Sequence, residues 1–474
     1  MKYIRYYKKY ILILVIFLVN LSLCFNRSLW ADEAWTALLM QNDFKDMMGI
    51  IANDVHPPLY FIILKIFTIF FGENIFVMKI VSLIPVIILM LLGVYYINKL
   101  FNNDTVASIF ILLVGLSPSC LHMTVELRMY SWSILFVTWT GFLGYSIYLN
   151  NNIKDKILFV ISGLLAAYTH NFNIIAEIFV YGIFFIAMFL KNKKTIKDSI
   201  IISLVTIVGY LPWLVISFNQ LRQVNEDFWL WPLNFTDVAQ MIIYPFNSLC
   251  HNEIPSPLIL IMIAMPLLLA ILLFIMLAYK IFIIKLKKKD LVFALLCYLP
   301  MYCIIAFGII YGLLIRPVFV ARYMHSTLGL FFLAIAIAIS NIDRKNIKAV
   351  AILVLICNII YGYVFNFQRE YLNGTEETLS FLENLNKDNS RIKLIVTDIY
   401  LLSTTTLNYY VPDYIIYSNA DYDIYSSEEE FLYITDREED KFDENLLDEK
   451  NIGYKKIYTG NIDNEYFFDI YLIN

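Results

Sequence analysis

Two adjacent carboxylates stand in the stretch Trp30-Ala31-Asp32-Glu33-Ala34-Trp35, just after a first apolar run, and His56-Pro57-Pro58-Leu59-Tyr60 follows. An ionised carboxylate can take a proton from a hydroxyl, and cations or other donors beside it can hold an anion that leaves. Such groups recur in Glu126-Leu127-Arg128-Met129-Tyr130 and in Arg322-Tyr323, with His170 and Arg316 at comparable junctions between apolar runs. Ionised residues at the edge of hydrocarbon are costly, and they usually mark a reaction or transport site.

The rest of the chain sets that edge. Of 474 residues, 60% are hydrophobic and 16% charged, and mean hydropathy is +0.66. This composition excludes a soluble globule and implies a polytopic membrane protein. The net charge of -4 hides a division, with lysines in short loops between apolar runs and acidic residues in the C-terminal tail. No basic footprint for nucleic acid is present. The six cysteines lie in or beside apolar runs without metal-ligand spacing and read as small core residues.

Residues 7–25 form an apolar run behind Lys2, Arg5, Lys8 and Lys9, without a small-residue cleavage pattern, which reads as a retained first span. At about 17 to 25 residues per crossing, further spans centre on 76–98, 105–121, 129–149, 156–170, 172–190, 198–217, 256–280, 290–314, 323–340 and 347–366. The total is about eleven transmembrane helices. Segment 57–72 is apolar but short and carries Lys65. If it does not cross, Lys99, Lys154, Lys194, Lys288 and Arg344 all share the side of the basic N-terminus, as the positive-inside rule asks. It is therefore expected to lie in the interface as a juxtamembrane helix, with Pro57 and Pro58 in its first turn.

This choice places the N-terminus in the cytoplasm of a multi-pass cell-membrane protein. The loop 26–72, the loop 218–255, the turns bearing Arg128, His170 and Arg322, and the tail then fall outside. Apolar spacing in the first loop predicts two short amphipathic helices broken at Asn42-Asp43. In loop 218–255, Trp229 and Trp231 suit headgroup anchoring. From residue 367 hydropathy falls, and strand-like runs (392–397, 414–417, 431–434, 454–458, 466–473) alternate with polar helical stretches near 376–386 and 441–450. The fold class is mainly α: a transmembrane domain over 1–366 with a small extracytoplasmic α/β domain over 367–474. The acidic runs Glu428-Glu429-Glu430 and Glu438-Glu439-Asp440 read as a solvated face. The tail has no glycine-rich phosphate loop.

Trp-Ala-Asp-Glu-Ala-Trp, His-Pro-Pro-Leu-Tyr, Glu126-x-Arg128-x-Tyr130 and the Pro317 to Arg322-Tyr323 element, in this order, resemble the GT-C membrane glycosyltransferases. The branch is the one containing protein O-mannosyltransferases and aminoarabinose lipid A transferases. The resemblance covers roughly the first 370 residues. It implies a GT-C-like fold and inverting transfer of a sugar from a polyprenyl-phosphate donor to a cell-envelope acceptor, which could be lipid, glycan or protein. It further implies Asp32 as the base, with Glu33 beside it positioning donor or acceptor. His56, Lys65, Arg128 and Arg322 would face the lipid phosphate, supported by Glu126, Tyr130 and Tyr323. Some relatives use a metal, yet no additional Asp/His set here suits one, so no metal and no cofactor is expected.

Each residue also has a plain structural role open to it. Asp32 could cap a helix beginning at Glu33, Glu126 and Arg128 could form a helix-entry ion pair, and His56 could end the loop before its prolines. Arg322 could snorkel to headgroups, and His170, beside Asn171 and Asn173, reads as a polar turn residue. Two other functions stay open: a transporter or flippase of lipid-linked sugars, and an oligosaccharide polymerase or ligase. Transporters favour charges at the midplane on broken helices, whereas these cluster at one interface.

Overall fold

The computed structural model describes residues 2–226, 230–247, 256–286, 288–388, 392–425, 429–437, 444–450, 452–464 and 466–474. Trp229, Cys250, Glu428 and the run Glu438-Glu439-Asp440 lie outside the described residues. Helix α1 (Lys2–Leu21) leads to α2 (Ala31–Gln41), α3 (Phe44–Asn53) and the short apolar α4 (Leu59–Phe71). Then follow α5 (Ile75–Phe101), α6 (Asp104–Leu116), α7 (Pro118–Val125), α8 (Tyr130–Asn150), α9 (Ile153–Ala167) and α10 (Asn171–Lys191). The apolar part continues through α11 (Ile196–Glu226), α12 (Phe235–Ile243), α13 (Pro257–Ala278), α14 (Lys289–Leu314), α15 (Leu328–Ser340) and α16 (Lys345–Tyr371).

Among the described residues, eight helices are long and apolar enough to cross a membrane, or nine if α6 and α7, bent by 54°, make one span. Two of the expected eleven spans fall outside that number. Helix α1 carries Arg5, Lys8 and Lys9, and α9 has 15 residues, about 22 Å of helix against about 30 Å of hydrocarbon. The 13-residue α4 is shorter still. The loop expected over 218–255 begins later, because α11 runs on to Glu226.

Two asparagine pairs turn the chain at one end of the bundle. Asn102 ends α5 in the left-handed conformation (φ 48°), and Asn103 caps α6 by accepting from the backbone N–H groups of Thr105 and Val106. Asn151 (φ 50°) and Asn152 do the same between α8 and α9. Asparagine tolerates φ > 0 and is also a strong N-cap, so two residues suffice to stop one helix and start the next. Lys99, Lys154, Lys191, Lys280 and Arg344 share this lysine end with those turns. At the other end, Ser117-Pro118 bends the chain from α6 into α7: proline at the first helical position needs no N–H partner there.

The core runs along α8 and α15. In the best apolar window, 89% of residues are buried in Ala321–Ser340 but only 17% in Lys193–Arg222, so α15 is central and α11 peripheral. A Cβ on Gly329 would meet Thr138, and one on Gly141 would meet Leu330, at well under contact distance. Small residues on both helices thus let the two backbones approach closely.

Beyond α16 come α17 (Thr375–Asp388), β1 (Leu394–Thr397), α18 (Leu407–Tyr410), β2 (Ile415–Ser418), β3 (Phe431–Asp436), α19 (Glu444–Glu449), β4 (Tyr454–Ile462) and β5 (Tyr466–Ile473). The strands form one mixed sheet in the order β2-β1-β3-β5-β4, with β1 parallel to β2 and β3 and the other pairs antiparallel. Side chains alternate between its faces. Phe431 and Tyr433 pack on one side with Leu447, while Leu432 and Ile434 pack on the other with Leu382, Leu407 and Ala31. The second face therefore sits on the first turn of α2.

Candidate active site

Helix α2 starts two residues earlier than a cap at Asp32 would require: Trp30 is the N-cap and Asp32 already lies in the first turn. The indole has no acceptor for the helix N–H groups. Glu33 reaches back instead, its Oε2 accepting from the Trp30 N–H at 3.1 Å, the carboxylate half of a capping box. Its Oε1 accepts from the Leu127 N–H at 2.6 Å. Glu33 is 3% exposed, and burial pushes its carboxyl up, to about 8. The position expected to meet donor or acceptor is thus turned into the protein, where it ties α2 to the loop before α8.

Asp32 is the outward member of the pair, with 37% of its side chain exposed. Arg322 Nη2 lies 3.5 Å from its Oδ2 and Arg128 Nη2 lies 3.8 Å away. Arg128 also donates to the Asp32 carbonyl at 3.3 Å and to Thr36 Oγ1 at 3.2 Å. These bonds fix its guanidinium against the first two turns of α2. His56 Nε2 lies 3.1 Å from Arg128 Nη2, and Nδ1 lies 2.7 Å from Asp54 Oδ2. An arginine can only donate, so Nε2 accepts and Nδ1 carries the proton toward Asp54. Burial would raise the Asp54 carboxyl, but His56 holds it below its ordinary range. Arg322 stacks its guanidinium over the Trp30 ring at 4.9 Å. The result is a continuous chain, Asp54, His56, Arg128, Asp32, Arg322 and Trp30, joining loop 26–58 to two later junctions. The Nε–H groups of Arg128 and Arg322 are buried and have no acceptor among the described residues.

The other expected residues are distributed around this chain. Tyr130 is buried and Tyr323 stacks on Phe172 at 4.8 Å. Glu126 does not pair with Arg128; it faces His122 at 3.2 Å. Burial would raise its carboxyl, but His122 overcomes that and takes it down to about 2. Lys65 is not brought to Asp32. Its Nζ donates to the Met40 carbonyl at the far end of α2 and lies 3.8 Å from Glu73. Eight residues of α-helix separate Met40 from Asp32, about 12 Å.

His170 belongs to the site although its sequence context resembles an ordinary turn. Its Nδ1 accepts from the Phe172 N–H as the N-cap of α10, and its ring lies 5.8 Å from His56, 5.8 Å from Tyr130 and 4.9 Å from Tyr323. Burial above all, with the charges of Arg128 and Arg322, holds it well below the ordinary imidazole range, so the ring is neutral. A second buried layer lies behind Glu33. Lys79 meets Glu370 at 2.6 Å and Asn26 at 2.8 Å, Glu370 meets Arg369 at 3.2 Å, and Arg369 reaches His122. Lys79 stands in an apolar run and Glu370 near a helix end, so neither carries a sequence signal beyond its charge. Among the described residues, no group of three or more His, Cys, Asp or Glu side chains is placed to hold a metal ion.

The sheet domain clamps the segment that leads into α2. Arg27 pairs with Glu376 and Glu383, each at 2.8 Å, Ser28 Oγ donates to Asp463 at 3.0 Å, and the Tyr410 hydroxyl donates to the Arg27 carbonyl.

Bundle, first-loop helices and sheet domain together define a multi-pass membrane protein with the GT-C fold. Several solved structures share this likeness, among them two of one protein. One is ArnT from Cupriavidus metallidurans in the apo state, with TM-score 0.58, 9% identity, and 97% of this chain and 96% of that chain covered. The other is the same protein bound to undecaprenyl phosphate, with TM-score 0.56, 11% identity, and coverages of 98% and 97%. At such identities the likeness is one of fold. Such coverage cannot leave out residues 367–474, so the tail expected to lie beyond the resemblance falls largely within it. No protein-family model and no curated protein matches the sequence.

Proposed function

We propose that this protein is a membrane glycosyltransferase that moves a sugar from a polyprenyl-phosphate donor to a hydroxyl of a cell-envelope acceptor on the outer face, with Asp32 as base. One observation carries the reading: a partly exposed carboxylate stands 3.5 and 3.8 Å from two guanidinium groups. Asp32 Oδ takes the acceptor proton as the hydroxyl oxygen bonds to the anomeric carbon, and the bond from that carbon to the phosphate oxygen breaks. Arg322 and Arg128 hold the negative charge that grows on the departing phosphate. A single displacement with base and leaving group on opposite faces inverts the anomeric carbon. His56, locked by Asp54, keeps Arg128 in register, and the neutral His170 adds no competing positive charge. The undecaprenyl phosphate bound by the fold neighbour supports a polyprenyl-linked donor. No metal or cofactor takes part in these steps.

The test is Asp32→Asn in purified protein given labelled polyprenyl-phosphate sugar and an envelope extract. Transfer should fall by about 10² to 10⁴, the usual contribution of a positioned base, while the melting temperature stays near wild type. Undiminished transfer would remove the base and the reading with it.

A further inference from the structure

The end of the bundle away from Asp32 carries a feature that sugar transfer does not use. Between α8, α10 and α14 lies a cavity of about 700 Å³, inside the range of about 300 to 1,000 Å³ typical of small-molecule sites. Its walls are apolar, with Val180 and Phe184 on one side and Val292, Phe293 and Leu296 on the other. Its mouth is basic: Lys191 from the end of α10, and Lys288 and Lys289 from the start of α14. Lys191 lies over the Tyr148 ring at 4.6 Å and donates to the Tyr148 carbonyl, which fixes its ammonium at the rim. Asp290, the acidic residue in the first turn of α14, already accepts from the Tyr145 hydroxyl at 2.8 Å. The rim therefore holds three lysines against one engaged carboxylate, at the N-terminus of a 26-residue helix whose dipole adds positive potential.

An apolar slot beneath a cationic rim complements a molecule with a hydrocarbon tail and an anionic head, and basic pockets between membrane helices select such lipids. We propose that the slot between α8, α10 and α14 binds an anionic glycerophospholipid of the bilayer, its phosphate on Lys191, Lys288 and Lys289 and one acyl chain between the helices. Helix α8, 21 residues long, separates this slot from the Asp32 end by about 30 Å. The lipid is therefore not the sugar donor, and the proposal stands apart from the reading of the other end.

Native mass spectrometry of the full chain, released from micelles holding equal phosphatidylglycerol and phosphatidylcholine, tests it. Phosphatidylglycerol should be the retained adduct. Retention should fall about fivefold for each charge removed in Lys191→Gln, Lys288→Gln and Lys289→Gln. Ala187→Phe should lower it with every charge in place by filling the slot. Melting temperatures of the same samples report whether each variant is folded. Three results would overturn the proposal: equal retention of both lipids, an unchanged adduct in the folded triple-lysine variant, or displacement of phosphatidylglycerol by equimolar undecaprenyl phosphate.

Discussion

The two ends of the helical bundle use the same charged residue types in opposite ways. At the lysine end, pairs are local clasps with one partner in solvent: Lys9 on Asp104, Lys156 on Asp198, Lys280 on Asp343, whose acidic members are 55%, 37% and 89% exposed. At the Asp32 end one pair goes under entirely, Lys79 and Glu370 at 1% and 3%, behind an Asp32 that keeps 37% exposure. Exposed pairs contribute at most about 1 kcal/mol, whereas a buried charge stripped of its partner costs several times that. Fully buried charge thus singles out the end where chemistry is proposed.

This contrast can be broken or sharpened by measurement. The largest effect is expected from Arg322→Gln, which removes the donor proposed to hold the leaving phosphate: transfer should fall by about 10² to 10³, measured as kcat/KM. A fall below threefold would take Arg322 out of the site. Next, Lys79→Met should strip the buried Glu370 of its closest cation, leaving Arg369 alone beside it, and destabilise the protein by about 3 kcal/mol, partly relieved in Lys79→Met/Glu370→Leu. Thermal melts in detergent read both variants, and an additive double variant would contradict the pairing.

A smaller effect concerns Glu33. Its folded carboxyl, near 8, lies above the ordinary value of about 4.3. Between those values the folded state keeps a proton that the unfolded state has lost, so stability falls as pH rises through that window. Glu33→Gln cannot ionise and gives up one acceptor of a backbone N–H, a cost of about 1 to 3 kcal/mol. It should melt below wild type at pH 5, and the gap should close toward pH 8; a constant gap would refute the elevated carboxyl. The smallest effects belong to the lysine end, where Lys156→Ala should shift stability by no more than about 0.5 kcal/mol and leave transfer unchanged. EDTA should likewise leave transfer unchanged, and loss restored by added metal would establish a metal site.

Much of the architecture is legible in the sequence because hydrophobic period and caps are local. Asn42-Asp43 separates α2 from α3, and the five strands fall where their alternation puts them. Burial partners are not local. Lys79 and Glu370 are 291 positions apart, and Arg369 and His122 are 247 apart, so the second charged layer leaves no trace in spacing. His170 is inconspicuous for the same reason: its neighbours come from α8 and from the turn before α15. Lys65 illustrates the converse. Its sequence context suits phosphate binding, yet a helix lying alongside α2 can meet either end of it, and only packing chooses Met40.

The clamp on residues 27–31 has a consequence for the order in which this molecule can become active. Ser28 waits for Asp463, 435 positions later, and the Arg27 carbonyl for Tyr410, 383 positions later. During synthesis the segment ahead of Asp32 emerges early and must stand without these partners while all the spans are inserted. The segment that carries the proposed base is therefore seated last, after every span is in place.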